Sequence, residues 1–205
     1  MMKKFALAGI VIGLASVPAY ANLVQNGSFE TGIAPGGFTT IPGGNSISID
    51  GWTVTGNSVD YIGSYWAASN GSRSIDLSGE NLGGLTQSIS GLNVGQSYTL
   101  SFDYAANPDF TGPRSMSFSL GSFTGTLANV TNSPNVSWLT YIVTFVYNGG
   151  GDLLSFTQLD GGAYGVALDN VDLNAVPVPA ALPLLGSALA GGALLGWRRR
   201  KAAKA

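Results

Sequence analysis

The chain has 205 residues, a formal net charge of −2, and neither cysteine nor histidine. It therefore lacks disulfides, a thiol nucleophile, an imidazole general base and the usual transition-metal ligands. All 11 acidic residues lie between Glu30 and Asp172, where Arg73 and Arg114 are the only basic residues, so this stretch carries a net charge of −9. Such a charge opposes binding to nucleic acids, which depends on Lys and Arg.

Residues 1–21 have the pattern of a secretory signal peptide. Lys3 and Lys4 precede an apolar stretch over residues 5–17, and Ala19-Tyr20-Ala21 matches a small-x-small cleavage site. We therefore predict that the chain is exported and that the mature protein starts at Asn22.

Residues 22–174 show the alternation of β-strands and almost no helical periodicity. Apolar and polar residues alternate over residues 98–104 and again over 116–120. Residues 141–147 are β-branched or aromatic on both faces, which predicts a central strand that is covered on both sides. Clusters of Gly and Asn separate these segments and indicate turns. The pattern predicts one all-β domain, an antiparallel β-sandwich.

The alternation changes phase near the end of this domain. Val166 and Leu168 follow one phase, Val171 and Leu173 follow the other, and the slip falls on Asp169-Asn170. An extra residue in a strand makes a β-bulge, which often re-aims a side chain at a site. The alternative is that the strand ends at Leu168.

The tail, residues 175–205, has the pattern of a membrane anchor. Residues 180–197 are 18 consecutive uncharged residues that end on Trp197, and basic residues follow at 198–201. This length suffices for a transmembrane helix, and the cations behind it fit a cytoplasmic flank. The alternative is a buried C-terminal helix, which has no need of four consecutive cations.

The same tail resembles the PEP-CTERM sorting signal of Gram-negative bacteria. The resemblance is carried by the Pro-rich motif Val176, Pro177, Val178, Pro179, by the apolar segment, and by Arg198, Arg199 and Arg200. It implies an exosortase-type enzyme as partner, export through the inner membrane, transient anchoring, and release to the cell surface or outside. The family usually has Glu where this chain has Val178, which leaves the identity of the sorting enzyme open.

The domain itself resembles the bacterial choice-of-anchor C family, which is related to plant cell-wall proteins with a galactose-binding-like jelly-roll fold. The matching fragments are residues 26–30, 51–54, 59–60, 65–66, 71–79, 98–108 and 167–171. The resemblance implies a jelly-roll β-sandwich and an extracellular module associated with polysaccharide.

Aromatic and polar residues cluster in a Gly- and Ser-rich stretch and are candidates for glycan binding. Flat aromatic rings can stack on sugar faces, and nearby polar groups can bind hydroxyls. The candidates are Asp60, Tyr61, Tyr65, Trp66, Asn70 and Arg73. The alternative is that Tyr61 and Trp66 are core residues, as we expect for Trp52 and Trp138. We also expect Arg73 to pair with Asp76.

The resemblance to jelly-roll carbohydrate-binding modules implies a structural calcium ion that joins the first and last strands. Glu30 and Asp169 would supply carboxylates and Ser28 a main-chain oxygen, in keeping with the oxygen ligands that calcium prefers. The alternative is that both acids are ordinary solvated or capping residues.

Three functions remain open at this point. The leading hypothesis is a non-enzymatic, surface-displayed domain that binds or organises extracellular polysaccharide. The second is a purely structural protein without a ligand pocket, and the third is a glycoside hydrolase with a carboxylate pair. An exposed aromatic platform would favour binding, and two carboxylates across one cleft would favour hydrolysis.

Overall fold

The computed structural model describes residues 22–131 and 136–177, which contain eleven β-strands and no helix. The strands are β1 (Phe38–Pro42), β2 (Thr53–Gly56), β3 (Ser58–Ile62), β4 (Ser74–Asp76), β5 (Gly83–Ser88), β6 (Ser97–Ala106), β7 (Arg114–Leu120), β8 (Phe123–Val130), β9 (Leu139–Val146), β10 (Leu153–Gln158) and β11 (Val166–Ala175).

These strands form two antiparallel sheets. One sheet has six strands in the order β1-β3-β4-β11-β6-β9, and the other has five in the order β2-β5-β10-β7-β8. Strands that are distant in sequence are neighbours in both sheets, which is the arrangement of a jelly-roll β-sandwich. The predicted all-β fold is confirmed.

The core lies between the inner faces of the two sheets. Alternate residues of each strand enter it, as Met116, Phe118 and Leu120 do from β7. Phe102 from the six-stranded sheet packs edge-on against Phe118 and Phe156 from the five-stranded sheet, with ring centroids 5.2 and 5.1 Å apart. Residues 22–176 belong to one compact unit with this core, so we expect the fragment to fold alone.

The outer face of the five-stranded sheet carries hydroxyl groups. One row crosses all five strands with Thr53, Thr86, Ser155, Ser119 and Thr124, each opposite the next. Arg114 is the only charged residue in these five strands and is buried, and their rings, Phe118, Phe123 and Phe156, pack at the core. This face therefore offers neither rings nor charges, in contrast to the outer face of the other sheet.

The prediction for residues 141–147 is wrong in one respect, because β9 is the edge strand of the six-stranded sheet. It pairs with β6, and Ile142 on its outer face is 66% exposed. The same residue types suit a strand whether or not it is covered, since β-branched side chains fit any pleated surface. Composition alone does not distinguish an edge from a centre.

The predicted bulge in β11 is confirmed. Asp169 lies opposite Asp103 of β6 and Asp172 lies opposite Ser101, so β11 holds one residue more than its partner between these pairs. Asn170 takes up the irregularity with a φ of 50°, a left-handed conformation that Asn tolerates better than most residues. The bulge leaves Asp169 fully buried.

The two ends of the described chain lie side by side. The Leu23 amide donates to the Leu173 carbonyl, and the Leu173 amide donates to Asn22 Oδ1, both at 2.9 Å. The Val171 amide donates to the Gly27 carbonyl. A Cβ atom at Gly27 would lie 1.9 Å from the Val171 carbonyl oxygen, so only glycine permits this approach.

Within residues 22–131 and 136–177, no helix has the length and apolar character needed to cross a membrane. The predicted signal peptide, the transmembrane segment 180–197 and the basic residues after it lie outside the described residues.

Candidate functional site

The segment that follows β3, residues 63–73, packs on the outer face of the six-stranded sheet. Trp66 from this segment contacts a small apolar cluster of Ile62, Ala105 and Ala167, which is separate from the main core. Trp138 packs against the same cluster, and its indole N–H donates to the Ala67 carbonyl at 3.0 Å. One side of the molecule is therefore built from this segment and not from the sheet alone.

A cleft of about 70 Å³ lies beside this segment, and we refer to it as the aromatic cleft. Its lining residues are Phe38, Asp60, Ile62, Tyr65, Trp66, Asn107, Asp109, Ala163 and Tyr164. Three of the six residues predicted for glycan binding, Asp60, Tyr65 and Trp66, meet here.

Three aromatic side chains around the cleft are accessible to solvent. Phe38 is 48% exposed, Tyr65 is 50% exposed and Tyr164 is 40% exposed. The Phe38 and Tyr65 rings meet edge to face with centroids 5.3 Å apart, and Tyr164 stacks on Phe110 at 5.8 Å. The rings thus support one another while part of their surface stays open to a ligand.

Trp66 has a structural role beneath the exposed rings. It is only 9% exposed, and its indole N–H donates to Ser74 Oγ of β4 at 2.9 Å. Tyr65 rests beside it with ring centroids 5.8 Å apart. Trp66 is therefore a buried residue, as the alternative expected, and Trp52 is buried in the main core as expected. The expectation that Trp138 is a core residue is wrong, because it is only partly buried against the small apolar cluster.

The polar groups of the cleft are mainly carboxylates. The Tyr65 hydroxyl donates to Asp109 Oδ2 at 2.6 Å, and this hydrogen bond raises the pKa of Tyr65. Asp60 on β3 accepts from Thr40 Oγ1 at 2.6 Å. Burial raises the pKa of Asp60, and the nearby charge of Glu80 raises it further.

A third carboxylate lies underneath the cleft. Asp76 is fully buried and accepts hydrogen bonds from the Ser78 and Gly165 amides at 2.9 Å and from Asn107 Nδ2 at 2.6 Å. Burial raises the pKa of Asp76 to about 7. Because Asn107 also lines the cleft, Asp76 fixes the orientation of its amide from below.

Tyr61 and Arg73 lie away from the cleft and bind each other. Tyr61 faces the main core, where its hydroxyl donates to the Phe29 carbonyl. Arg73 donates to the Tyr61 hydroxyl at 2.9 Å and to the Ile33 carbonyl at 3.2 Å. The expected pair of Arg73 with Asp76 is wrong, because Arg73 binds Tyr61 instead. Asp76 lies opposite Asp60 on the neighbouring strand, and consecutive strand residues such as Asp60 and Tyr61 face opposite sides of the sheet.

The Glu30 carboxylate holds the end of the 63–73 segment by hydrogen bonds. Glu30 accepts from the amides of Ser72 and Arg73 at 2.7 and 2.8 Å and from the Ser72 hydroxyl at 2.8 Å. Its burial would raise its pKa, but the hydrogen bonds from Ser72 and Arg73 outweigh that effect and lower it. Ser28 lies two residues before Glu30 and is half-buried.

Asp169 holds the preceding residues of the same segment. Its Oδ2 accepts from the amides of Ser69 and Asn70 at 2.8 Å, and its Oδ1 accepts from the amide of Asn170 at 2.7 Å. Burial raises the pKa of Asp169 to about 7, against the effect of these hydrogen bonds. Asn70 also donates to Asn170 Oδ1, so it belongs to this anchor and not to the cleft.

Glu30 and Asp169 therefore clamp one loop between the first and last parts of the domain. In the part of the chain that the structure describes, no group of three or more acidic side chains is arranged to hold a metal ion. The donors are nevertheless hard oxygens, and Glu30 Oε2 and Asp169 Oδ1 each accept one hydrogen bond. The chemistry of the two carboxylates fits calcium. The loop amides already donate hydrogen bonds to the other oxygen of each carboxylate.

Sequence reasoning missed the other four aromatic or polar residues of the cleft, namely Phe38, Asn107, Asp109 and Tyr164. They come from β1 and from two loops that are far from Tyr65 in sequence. No local pattern links these segments, because only the strand order brings them together.

Comparisons with known proteins give one family and several similar folds. Halomucin of Haloquadratum walsbyi is 32% identical over 203 residues, which is 93% of this chain, and the chain spans 2% of halomucin's length. A cyclase from Fischerella sp. TAU shares the fold, with a TM-score of 0.55 and 20% identity over 80% of this chain and 100% of that chain. A family 16 carbohydrate-binding module has a TM-score of 0.47 and 21% identity over 74% of this chain and 99% of that chain. The model of one family, described as a protein of unknown function (DUF642), matches residues 22–174, and the chain belongs to that family.

Proposed function

We propose that this domain is a non-catalytic module that binds extracellular polysaccharide at the aromatic cleft. The observation that carries the proposal is the set of three half-exposed rings, Phe38, Tyr65 and Tyr164, around one cleft with polar groups. Large aromatic side chains are usually buried because their exposure to water is unfavourable. Several of them around one concavity indicate a surface that a ligand covers.

The chemistry of the cleft suits a sugar. The C–H faces of a pyranose ring are apolar and pack on an aromatic ring, while its hydroxyls need hydrogen-bond partners. Asp60, Asn107 and Asp109 supply such partners at the same cleft. Trp66 and Asp76 beneath them hold the lining in place and leave the surface preorganised.

The test is a glycan screen of the fragment 22–176, followed by calorimetry on the best ligand with Tyr65→Ala and, as control, Ile142→Ala. Ile142 is exposed on β9, a strand that contributes no residue to the cleft lining. We expect Tyr65→Ala to weaken binding by about tenfold or more, equivalent to about 1.4 kcal/mol, and Ile142→Ala to leave it unchanged. Failure to bind any polysaccharide would favour the purely structural alternative.

A specific observation also keeps the glycoside hydrolase as a second candidate. Asp60 and Asp109 both line the cleft, and burial raises the pKa of Asp60, as a general acid requires. Incubation of the fragment with its best-bound polysaccharide would show new reducing ends if it were a hydrolase. Loss of that activity in both Asp60→Asn and Asp109→Asn would establish catalysis and refute the non-catalytic proposal.

We further propose that residues 1–21 export the protein and that the tail anchors it until an exosortase-type enzyme removes the helix. The support is the sequence pattern alone: the uncharged segment 180–197 and the cations Arg198, Arg199 and Arg200. Replacing the three arginines by serine should misplace the protein or leave it unprocessed. An unchanged mature mass and location would contradict this.

A structural calcium ion at Glu30 and Asp169, with the Ser28 carbonyl as a further ligand, is also a proposal. Its support is that both carboxylates meet one loop from opposite ends of the domain. Calcium there would stabilise the folded state by about 2.7 kcal/mol at a hundredfold excess over its Kd. Thermal melts of the fragment in EDTA and in millimolar calcium decide the matter, and coincident curves exclude the ion.

A further inference from the structure

The charged residues that line the aromatic cleft are both acidic. Asp60 and Asp109 line it, whereas none of its lining residues is basic. Between residues 22 and 177 the chain has two arginines and no lysine, against 11 acids. The field of the domain therefore adds to the negative potential of the cleft.

Both arginines bind other groups. Arg73 donates to the Tyr61 hydroxyl and the Ile33 carbonyl. Arg114 donates to the Gly161 carbonyl at 3.0 Å, and its guanidinium carbon lies 3.7 Å from the centroid of the Phe110 ring. Among the described residues, neither side chain donates a hydrogen bond to Asp60 or Asp109.

The lack of a bound cation affects Asp60 more than Asp109. It is half-buried, its one side-chain hydrogen bond comes from Thr40 to Oδ1, and Glu80 is a charge of the same sign nearby. A partly desolvated carboxylate without a cation is unfavourable, and a bound cation relieves this. The cleft thus lacks a positive charge that a ligand can bring.

The rings point to the same kind of ligand. Cations bind the faces of aromatic side chains, and grouped aromatic rings recognise ammonium ligands. Phe38, Tyr65 and Tyr164 surround the cleft that the two carboxylates line.

We infer that the ligand is a polysaccharide with protonated amino groups, of the deacetylated glucosamine type. The inference rests on the proposed glycan-binding function and names its ligand class. One ring of the sugar packs on the exposed aromatic side chains, and its ammonium group lies between Asp60 and Asp109. Polysaccharides with carboxylates, such as uronates, are repelled by the same residues, and neutral ones leave the charge of Asp60 uncompensated.

The experiment compares four oligosaccharides of equal length by calorimetry with fragment 22–176 at slightly acidic pH. They are a glucosamine, an N-acetylglucosamine, a glucose and a galacturonate oligomer. We expect the glucosamine oligomer to bind at least about tenfold more tightly than the others, with an affinity that falls in high salt.

Variants separate recognition from simple attraction between a polycation and an acidic domain. Asp60→Asn and Asp109→Asn should each lose most of the preference for the glucosamine oligomer. Asp152→Asn removes the same charge at an exposed site far from the cleft lining and should keep the preference. Tyr65→Ala changes no charge and should weaken binding of every oligomer that binds.

The outcomes are distinguishable. If the acetylated or glucose oligomer binds as tightly as the glucosamine oligomer, the ligand class is wrong and the glycan-binding function stands. If Asp152→Asn weakens binding as much as Asp60→Asn and Tyr65→Ala has no effect, the attraction is non-specific and the inference fails. If no oligomer binds and the wider glycan screen is negative, the proposed function itself fails.

Discussion

Replacing Asp169 by Ala tests how the 63–73 segment is held on the domain. The carboxylate accepts three backbone hydrogen bonds, from Ser69, Asn70 and Asn170. A hydrogen bond to a charged group contributes about 1.5–3 kcal/mol. Water can replace part of the loss, because Ser69 and Asn70 are near the surface, and the substitution also removes a buried charge. We therefore expect a net loss of about 3 kcal/mol.

For a domain of this size, such a loss lowers the melting temperature by about 6–12 °C. The assay is thermal unfolding of fragment 22–176 in EDTA, so that a bound metal does not contribute. Asp152→Ala is the matched control, since that exposed carboxylate accepts one hydrogen bond, from Ser88, and should change the stability by less than about 0.5 kcal/mol.

The variant has a functional consequence as well. Because the same segment carries Tyr65 and Trp66, Asp169→Ala should also weaken glycan binding. A melting temperature within 2 °C of the parent, about the effect of 1 kcal/mol or less, would refute the view that Asp169 anchors the segment.

Three further predictions concern the surroundings of the cleft. Trp66→Ala should lower the free energy of unfolding by about 3 kcal/mol or more, as for other buried aromatics. Tyr65→Ala should change it by less than about 1 kcal/mol. Equal effects of the two substitutions in urea titrations would contradict their assigned roles. Gly71→Ala should destabilise the domain, because its φ is +72° and a Cβ would lie 2.5 Å from the Glu30 carboxylate; an unchanged urea midpoint would show that the loop adapts. The folded pKa of Asp76, about 7, lies above its unfolded value. Its contribution to the free energy of unfolding is therefore present at low pH and is lost as pH rises from about 4 through 7, by about 1.4 kcal/mol per pKa unit. Urea titrations across this range should show that fall, and Asp76→Asn should reduce it; an equal slope in the variant would contradict the assignment.

Much of the fold could be predicted because alternation reports directly on which residues enter the core. The inward positions of β6 and β7 follow from it, and so does the bulge at Asp169, where the phase changes. Alternation also separates Asp60 from Tyr61, since Val59 and Tyr61 enter the core. Grouping Asp60 and Tyr61 in one site overlooked that signal.

The rest depends on long-range pairing, which a local pattern does not contain. The edge position of β9 follows from the strand order, and its β-branched residues would suit either place. The cleft needs β1, the loop after β6 and the loop before β11 to meet, and this is why Phe38, Asp109 and Tyr164 carried no signal in the sequence. The stretch around Tyr65 stood out because aromatic residues there interrupt a Gly- and Ser-rich segment.

The most direct test of the central claim is to locate the bound glycan on the domain. Titration of isotope-labelled fragment 22–176 with its best polysaccharide ligand, followed by NMR chemical shifts of the backbone amides, gives that location. We predict that the largest changes occur at Phe38, Tyr65 and Tyr164 and that the hydroxyl face of the five-stranded sheet stays unchanged. Changes centred on that face or on β9, with the cleft unaffected, would contradict the account.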